Sequence, residues 1–462
     1  MKTLRITYAV MALTVPATGL ADASSDFEAL LDEHWEWTLA GNPVMASMLG
    51  DRRYNDQWPD TSPAGIERRH QETREFLRRV YAIERTALPS EDQLDYELLR
   101  RQLQDEADTH QLGGHLLPYA HTGGVQDLEN MAHHLRFATV GDFEDWLARI
   151  GKLDQVTAQL IDVAEVGRRS DVVAPCVLMQ RGSAQLELQL VEQAESSPFY
   201  RRFSAMPDAI PEEEQDRLQA AARETIEKTV VPAYEKLAKY FGGKYLPACR
   251  DSVGLSVLPN GSAWYEHLAR SYTTTRMTPD EIHRLGLEEV KRLRAEMQEI
   301  IAEVGFDGGF QDFLAFLRSD EQFYFDNPYD LLQAYRATSK RIDPELVKLF
   351  GRLPRMPYGV QPIPDSIAPD TTTAYYSPPA ADGTRAGIYW VNLYKPEVRP
   401  KYEIEVLSVH EAMPGHHLQI ALQQELGDLP NFRRFTGVTA FVEGWGLYSE
   451  RLGYDLGLYT DP

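Results

Sequence analysis

Apolar residues recur at helical spacing through the first half of this chain, and that pattern restricts the folds open to it. Between residues 24 and 250, segments such as Glu72–Ile83, Phe143–Ile161 and Ala184–Ala194 place apolar side chains three and four positions apart, with charges of both signs between them. Clusters such as Gly41-Asn42-Pro43 separate one helical segment from the next. The spacing therefore predicts a mostly α-helical protein.

The second half of the chain contains the clearest helix start, and later a segment whose composition predicts a loop and a strand. Thr278-Pro279-Asp280-Glu281 combines a hydroxyl N-cap, a proline at the first helical position and a glutamate for a capping box, and an apolar stripe follows as far as Val304. Ile388–Tyr394 is rich in β-forming residues and predicts a strand, whereas Tyr375–Pro379 before it predicts a loop. We expect a small β element beside the next helix, with a strand edge that could pair with an extended substrate.

Composition excludes several classes of function. The 47 Lys and Arg against 70 Asp and Glu give a net charge of −23, which disfavours a nucleic acid or an anionic membrane as the main partner. The 43% apolar content is enough for a packed interior, so the chain is not disordered as a whole. Its 2 cysteines, Cys176 and Cys249, are too few for a disulfide framework, although they could form one bridge in an oxidising compartment.

The N-terminus resembles an export signal. Lys2 and Arg5 precede the apolar run Ile6–Val15, and Ala21-Asp22-Ala23 offers a small-residue cleavage site. The run is too short to span a bilayer, and no later segment is apolar for long enough. We therefore expect an exported chain, periplasmic or secreted, without stable membrane insertion. The predicted organisation is a signal peptide over residues 1–23, a helical region over 24–250 and a region carrying the chemistry over 251–462.

Three of the 12 histidines fall within one short segment, His410-Glu411-Ala412-Met413-Pro414-Gly415-His416-His417. Two histidines four apart on a helix can share one Zn²⁺, and the glutamate beside the first can act on water. Here the second histidine lies six or seven positions on, so an uninterrupted helix would carry His417 roughly 10 Å farther along its axis. Pro414 and Gly415 can interrupt the helix and return a histidine to the metal. His416 needs the smaller loop and is favoured narrowly over His417.

The third ligand is expected from the next helical segment. Glu443 and Glu450 lie seven positions apart and so face the same way. Glu443 is nearer to the histidine segment and is the better candidate ligand. Glu450 would then hold a ligand imidazole or pair with Arg451.

At these residues the sequence resembles the bacterial domain-of-unknown-function 885 family. That family's signature resembles His-Glu-Ala-x-Pro-Gly-His-His-x-Gln followed by Glu-Gly-Trp-x-x-Tyr-x-Glu, which His410–Gln419 and Glu443–Glu450 match. From the N-terminal side, the resemblance also includes Thr273-Thr274-Thr275, Thr278–His283, Tyr375-Tyr376, Pro378-Pro379, Asp382-Gly383, Val391-Asn392-Leu393 and Arg399-Pro400.

The resemblance implies a place among the zincin-like peptidases, near the helical angiotensin-converting enzyme, oligopeptidase and thermostable carboxypeptidase group. It implies a large helical zincin-like peptidase fold, a substrate channel, a preference for short peptides, and further helices after Pro462. The function predicted is hydrolysis of peptide bonds with Zn²⁺ on His410, Glu443 and either His416 or His417, and with Glu411 as general base. Candidates for a donor to the oxyanion are Tyr375, Tyr376, Tyr448 and the histidine of the pair that does not bind zinc.

Two rival functions remain open. One is an exported helical protein that binds metal or peptide without turnover, and the other is a zinc hydrolase of a non-peptide amide or ester. The intact Glu411 counts against the first, because a pure binder needs no general base there. A serine hydrolase has little support, since no Gly-x-Ser-x-Gly elbow occurs, and no phosphate-binding or dinucleotide motif occurs either.

Overall fold

The computed structural model describes residues 17–120 and 123–461, and the chain there is mostly helical with one small sheet. The helices in chain order are α1 Ala17–Gly41, α2 Pro43–Met48, α3 Pro63–Ala82, α4 Ser90–Gln111, α5 Val140–Ile150, α6 Leu153–Arg169, α7 Cys176–Met179, α8 Gly182–Glu187, α9 Glu212–Thr225, α10 Val231–Tyr240, α11 Gly261–Thr273, α12 Pro279–Glu303, α13 Phe310–Ser319, α14 Pro328–Ile342, α15 Glu403–Glu411, α16 His416–Gln424, α17 Asn431–Phe435 and α18 Thr439–Asp455. The strands are β1 Tyr358–Pro362, β2 Ala374–Ser377 and β3 Gly387–Val391. The predicted fold class, mostly α with a small β element, is confirmed at this level.

The predicted export signal lies largely outside the described residues. Its basic start and apolar run fall within residues 1–16, and α1 begins at Ala17. Of the helices that the structure does describe, none combines the length and apolar character needed to cross a bilayer.

The helices of the N-terminal half form two apolar cores. One is built from α1, α3 and α4, and it also buries Phe432 of α17. Within it, Trp35 stacks on Phe435 with ring centroids 5.7 Å apart. The other core surrounds Trp146 and Tyr234, both fully buried. Because α17 belongs to the first core, the N-terminal helices are packed against the segment between α16 and α18.

The sheet has β3 in its centre, parallel to β1 and antiparallel to β2. All five residues of β3 are buried, and Tyr389 and Val391 pack with Ile404 of α15 in one core. The strand predicted over Ile388–Tyr394 is thus confirmed, although it ends at Val391. It supports the helix that carries His410.

Two expectations about this region are wrong. Tyr375-Tyr376 is part of β2 rather than a loop, because this segment pairs with β3 from Ala374↔Val391 to Ser377↔Ile388. The edges of β3 are also not free for a substrate, since β1 and β2 occupy both of them.

The helix predicted after Met277 is confirmed as α12. The Thr278 hydroxyl accepts a hydrogen bond from the Glu281 amide, and the Glu281 carboxylate accepts one from the Thr278 amide, as a capping box requires. Its apolar stripe faces outward, with Leu285, Val290 and Leu293 between 44% and 63% exposed. The apolar periodicity therefore predicted the helix correctly, but it did not show that the apolar stripe is exposed.

A disulfide joins Cys176 to Cys249, 73 residues apart in sequence. The Cys176 amide donates to the Arg250 carbonyl at 2.8 Å, and the Arg250 amide donates to the Ala174 carbonyl at 3.1 Å. The bond therefore closes a long loop around α7 to α10 at a point where the two chain segments already pair.

We expect loss of this disulfide to destabilise the protein, because the unfolded chain regains the entropy of a long open loop. The double variant Cys176→Ser/Cys249→Ser should lose about 2 to 4 kcal/mol of unfolding free energy in urea titrations. A reducing agent should lower the unfolding midpoint of the native chain but leave that of the variant unchanged. Equal midpoints for the native chain with and without reductant would contradict the prediction.

Candidate metal centre

The predicted interruption of the histidine segment is present. α15 ends at Glu411, Ala412 to Gly415 form a turn, and α16 begins at His416. A Cβ at Gly415 would lie 1.8 Å from the His410 carbonyl oxygen, so no other residue fits this turn without displacement. The Trp445 indole of α18 donates to the Pro414 carbonyl at 2.8 Å and holds the turn against that helix.

The turn brings His410 and His416 together beside Glu443 of α18. A Glu443 carboxylate oxygen (Oε2) lies 3.7 Å from His410 Nε2 and 3.7 Å from His416 Nε2. One ligand atom from each of the three residues can be chosen so that all lie within 4.8 Å of one another. The two rings are perpendicular, with centroids 4.7 Å apart. Three ligand atoms on three helices thus converge on one point.

Gly446 makes this convergence possible. A Cβ at that position would lie 2.7 Å from Cε1 and from Nε2 of His410, and 3.1 Å from Cε1 of His416. Gly446 therefore lets α18 approach the imidazoles closely enough for Glu443 to reach them.

Glu450 orients His410. Its carboxylate (Oε1) accepts a hydrogen bond from His410 Nδ1 at 2.8 Å, the first of the two roles that the sequence suggested for it. Because a carboxylate only accepts, Nδ1 carries the proton and the lone pair of Nε2 faces Glu443 and His416. This is the tautomer in which an imidazole binds a metal through Nε2.

The surroundings of His416 favour its neutral form. Burial lowers its pKa, the neighbouring His410 lowers it further, and Glu443 opposes both effects. Its Nδ1 is buried without a hydrogen-bond partner in the described part of the chain. Of the two imidazoles, His410 therefore has an Nδ1 that is hydrogen-bonded to a carboxylate, and His416 does not.

The group fits a small cation that prefers nitrogen and oxygen ligands. A tetrahedral zinc site with bonds of about 2.0 to 2.1 Å separates its ligand atoms by about 3.4 Å, and the two distances to Glu443 are 3.7 Å. The side chain of Glu443 is 59% exposed and that of His410 is 19% exposed, so the point of convergence is open to solvent from the α18 side.

Glu411 adjoins His410 in the sequence but is not one of the three candidate ligands. It is 8% exposed, and burial raises its pKa to about 7, while His410 lowers the pKa and Glu443 raises it. A carboxyl with a pKa near neutrality can both take and give a proton.

His417, the alternative second ligand, is not part of the group. It lies on the other side of the start of α16, where its Nε2 donates to the Met356 carbonyl at 3.0 Å. Its Nδ1 therefore accepts, and the Tyr376 hydroxyl donates to it at 2.8 Å. Both ring nitrogens are committed, and burial lowers the pKa of His417 to about 4. A Cβ at Gly387 would lie 2.6 Å from the Tyr376 hydroxyl, so that glycine leaves room for the pair.

The three candidate tyrosines have different surroundings. Tyr376 is tied to His417, and burial raises its pKa. Tyr375 stacks on Trp390 with centroids 6.1 Å apart, and burial raises its pKa to about 12. Tyr448 is 56% exposed on α18. Among the described residues, no hydrogen bond or ring contact of these tyrosines involves His410, His416 or Glu443.

Two glycines that shape the centre and the neighbouring Tyr376–His417 pair were missed by the sequence reasoning. Gly446 and Gly387 contribute no functional group, and each is needed because another side chain occupies the space of its Cβ. A glycine inside a helix is unfavourable by about 1 kcal/mol, so Gly446 in the run Glu443-Gly444-Trp445-Gly446 was a usable sign of close approach.

A large cavity adjoins the centre. Its volume is about 1860 Å³, and it lies between α3, α4 and α11 on one side and α16, α17 and α18 on the other. Gln419, one helical turn from His416, and Thr439, one turn from Glu443, both line it. The cavity thus reaches to within one turn of the centre along two of its helices.

Comparison with known proteins gives a family and a fold. The model of a family described as "bacterial protein of unknown function (DUF885)" matches residues 43–462. No curated protein matches the chain. A candidate lipoprotein from Colwellia psychrerythraea is 23% identical with a TM-score of 0.83, covering 96% of this chain and 79% of its own. A candidate lipoprotein of unknown function from Shewanella oneidensis is 15% identical with a TM-score of 0.63, covering 95% and 78%. At these identities the likeness establishes the fold.

We expect Gly446→Ala to lower the affinity for Zn²⁺ by about tenfold or more, because the added methyl group displaces the His410 ring. The matched control is Gly444→Ala on the same helix, where a Cβ meets nothing within 4 Å. That variant should keep its zinc affinity and gain about 0.5 to 1 kcal/mol of stability. Competition with a chelating dye measures the affinities, and equal affinity of the two variants would contradict the role of Gly446.

Proposed function

We propose that this chain, which belongs to the family of bacterial proteins of unknown function (DUF885), is a zinc-dependent metallopeptidase. The observation that carries the proposal is the convergence of ligand atoms from His410, His416 and Glu443 beside the nearly buried Glu411. Two imidazoles and one carboxylate are a ligand set that suits Zn²⁺ and leaves room for water or substrate, as catalytic zinc sites do.

His410, His416 and Glu443 would hold the metal. When bound, Zn²⁺ supplies a Lewis acid that polarises a carbonyl group and makes a nearby water more acidic. Glu450 keeps the proton of His410 on Nδ1 and so keeps Nε2 available.

Glu411 would transfer the proton. It takes a proton from the water that attacks the carbonyl carbon of the scissile bond, and it delivers that proton to the amine nitrogen as the C–N bond breaks. Its burial suits it to both steps, because burial brings its pKa to about 7. It is also the only carboxyl group in the His410–His417 segment.

The oxyanion needs a donor besides the metal. The Tyr376 hydroxyl already donates to His417, so we assign these two residues to positioning rather than to the reaction. Tyr448 keeps an exposed side chain on α18 and remains the candidate donor among the three tyrosines.

The proposed substrates are peptides, short ones in particular, and the proposed setting is outside the cytoplasm. The short helix carrying His-Glu, the strand packed beneath it and the glutamate on a later helix support a zincin-like assignment. The N-terminal pattern and the Cys176–Cys249 disulfide support export, periplasmic or secreted.

We expect Glu411→Gln to reduce peptide hydrolysis by at least about 100-fold while zinc remains bound, because the amide cannot accept the water's proton. The matched control is Glu405→Gln on the same helix, since Glu405 pairs with Arg341 away from the centre. The control should keep nearly full activity. The measurements are cleavage of a mixed peptide pool by mass spectrometry and zinc content per chain, with His410→Ala as the metal-free reference.

The outcomes separate the rival functions. Bound zinc without cleavage of any peptide favours a binding protein or a hydrolase of other amides or esters, and an ester and amide panel distinguishes those two. Native protein that binds no zinc after reconstitution would refute the metal centre itself.

A further inference from the structure

The cavity beside the candidate centre has two chemically different walls. The wall formed by α16, α17 and α18 carries most of the apolar side chains, among them Leu422, Phe441 and Trp445, with Gln419, Gln423 and Arg433 between them. The wall formed by α3 and α4 carries most of the polar groups. A ligand that satisfies both walls must combine bulky apolar groups with a polar main chain.

The apolar wall shares two helices with the proposed metal ligands. Gln419 lies one turn after His416 on α16, and Phe441 lies in the first turn of α18, the helix of Glu443. The Gln419 side chain donates to the Phe441 carbonyl at 3.0 Å, which joins the starts of α16 and α18. A peptide that extends from the centre into the cavity would therefore reach Phe441 within a few residues of the reacting bond.

Phe441 is an exposed aromatic side chain on this wall. It is 59% exposed, a large area of apolar surface left in contact with water. Trp445, the other aromatic residue of α18 on the cavity, is tied through its indole to the Pro414 carbonyl and supports the turn. Phe441 is thus free to contact a ligand, whereas Trp445 has a structural role.

The opposite wall presents a column of three histidines. The rings of His70 and His110 are parallel with centroids 3.8 Å apart, and those of His110 and His115 are 4.4 Å apart. Nδ1 of His70 and Nδ1 of His115 are buried without a hydrogen-bond partner in the described residues. Arg69 and Glu106 lie on the same wall, so it carries both signs of charge and suits the amides of a peptide better than a hydrocarbon chain.

We propose that this cavity is a substrate subsite for peptides with a bulky apolar residue near the scissile bond, and that Phe441 determines this specificity. This inference rests on the proposed peptidase function. The side chain of the peptide packs on Phe441, and its main chain continues toward the wall of α3 and α4. The volume of about 1860 Å³ is larger than a drug-sized ligand needs and accommodates several residues.

The test compares two peptides, Gly-Gly-Leu-Phe-Gly-Gly and Gly-Gly-Ser-Asp-Gly-Gly, each with the same fluorescent label. Binding is measured by anisotropy with the full-length Glu411→Gln protein, so that cleavage does not interfere. We expect the apolar peptide to bind at least about tenfold more tightly, and Phe441→Ala to remove about tenfold of that affinity while changing the polar peptide little. Tyr454→Ala, an exposed aromatic of α18 outside the cavity, is the control and should leave both affinities unchanged.

Cleavage assays on the same peptides separate this inference from the function on which it rests. Equal binding and equal cleavage of the two peptides, unaffected by Phe441→Ala, would overturn the subsite while leaving the peptidase intact. Tight binding of the apolar peptide with no cleavage by zinc-loaded native protein would support the subsite and count against the peptidase. A circular-dichroism melt of each variant verifies that a lost affinity does not come from unfolding.

Discussion

The close approach of α18 to the turn between α15 and α16 is the contact on which the candidate centre depends. His410 ends one helix and His416 begins the next, so neither can reach the other unless the chain turns sharply at Gly415. Glu443 can reach both only because Gly446 leaves the space that the His410 ring fills. Two positions without side chains thus determine whether three ligand atoms meet.

The electrostatics of the centre follow from that packing. Burial at the turn raises the pKa of Glu411 to about 7 and lowers the pKa of His416. The contact with α18 places Glu450 on His410 and fixes its tautomer. A buried acid able to exchange a proton and an oriented imidazole are therefore consequences of how the chain packs around the turn.

Structure that depends on residues close together in the sequence was predicted correctly. The capping box at Thr278 and Glu281 located α12, and the proline and glycine at positions 414 and 415 located the turn. Features that depend on residues distant in the sequence could not be predicted. Tyr375-Tyr376 looked like a loop because the residues that make it a strand belong to β3. The choice between His416 and His417 depended on the Met356 carbonyl and the Tyr376 hydroxyl, neither of which adjoins the histidines in sequence.

The pairing of His417 with the sheet has a mechanical consequence for its neighbour. His416 and His417 share one peptide unit and point to opposite sides of the start of α16, one toward the three-residue centre and the other toward β2. Because both nitrogens of His417 are held, the backbone that carries His416 is anchored to β2 and to the segment before β1. The sheet therefore holds the backbone of this candidate ligand in place, and a shift of β2 would change the geometry of His416.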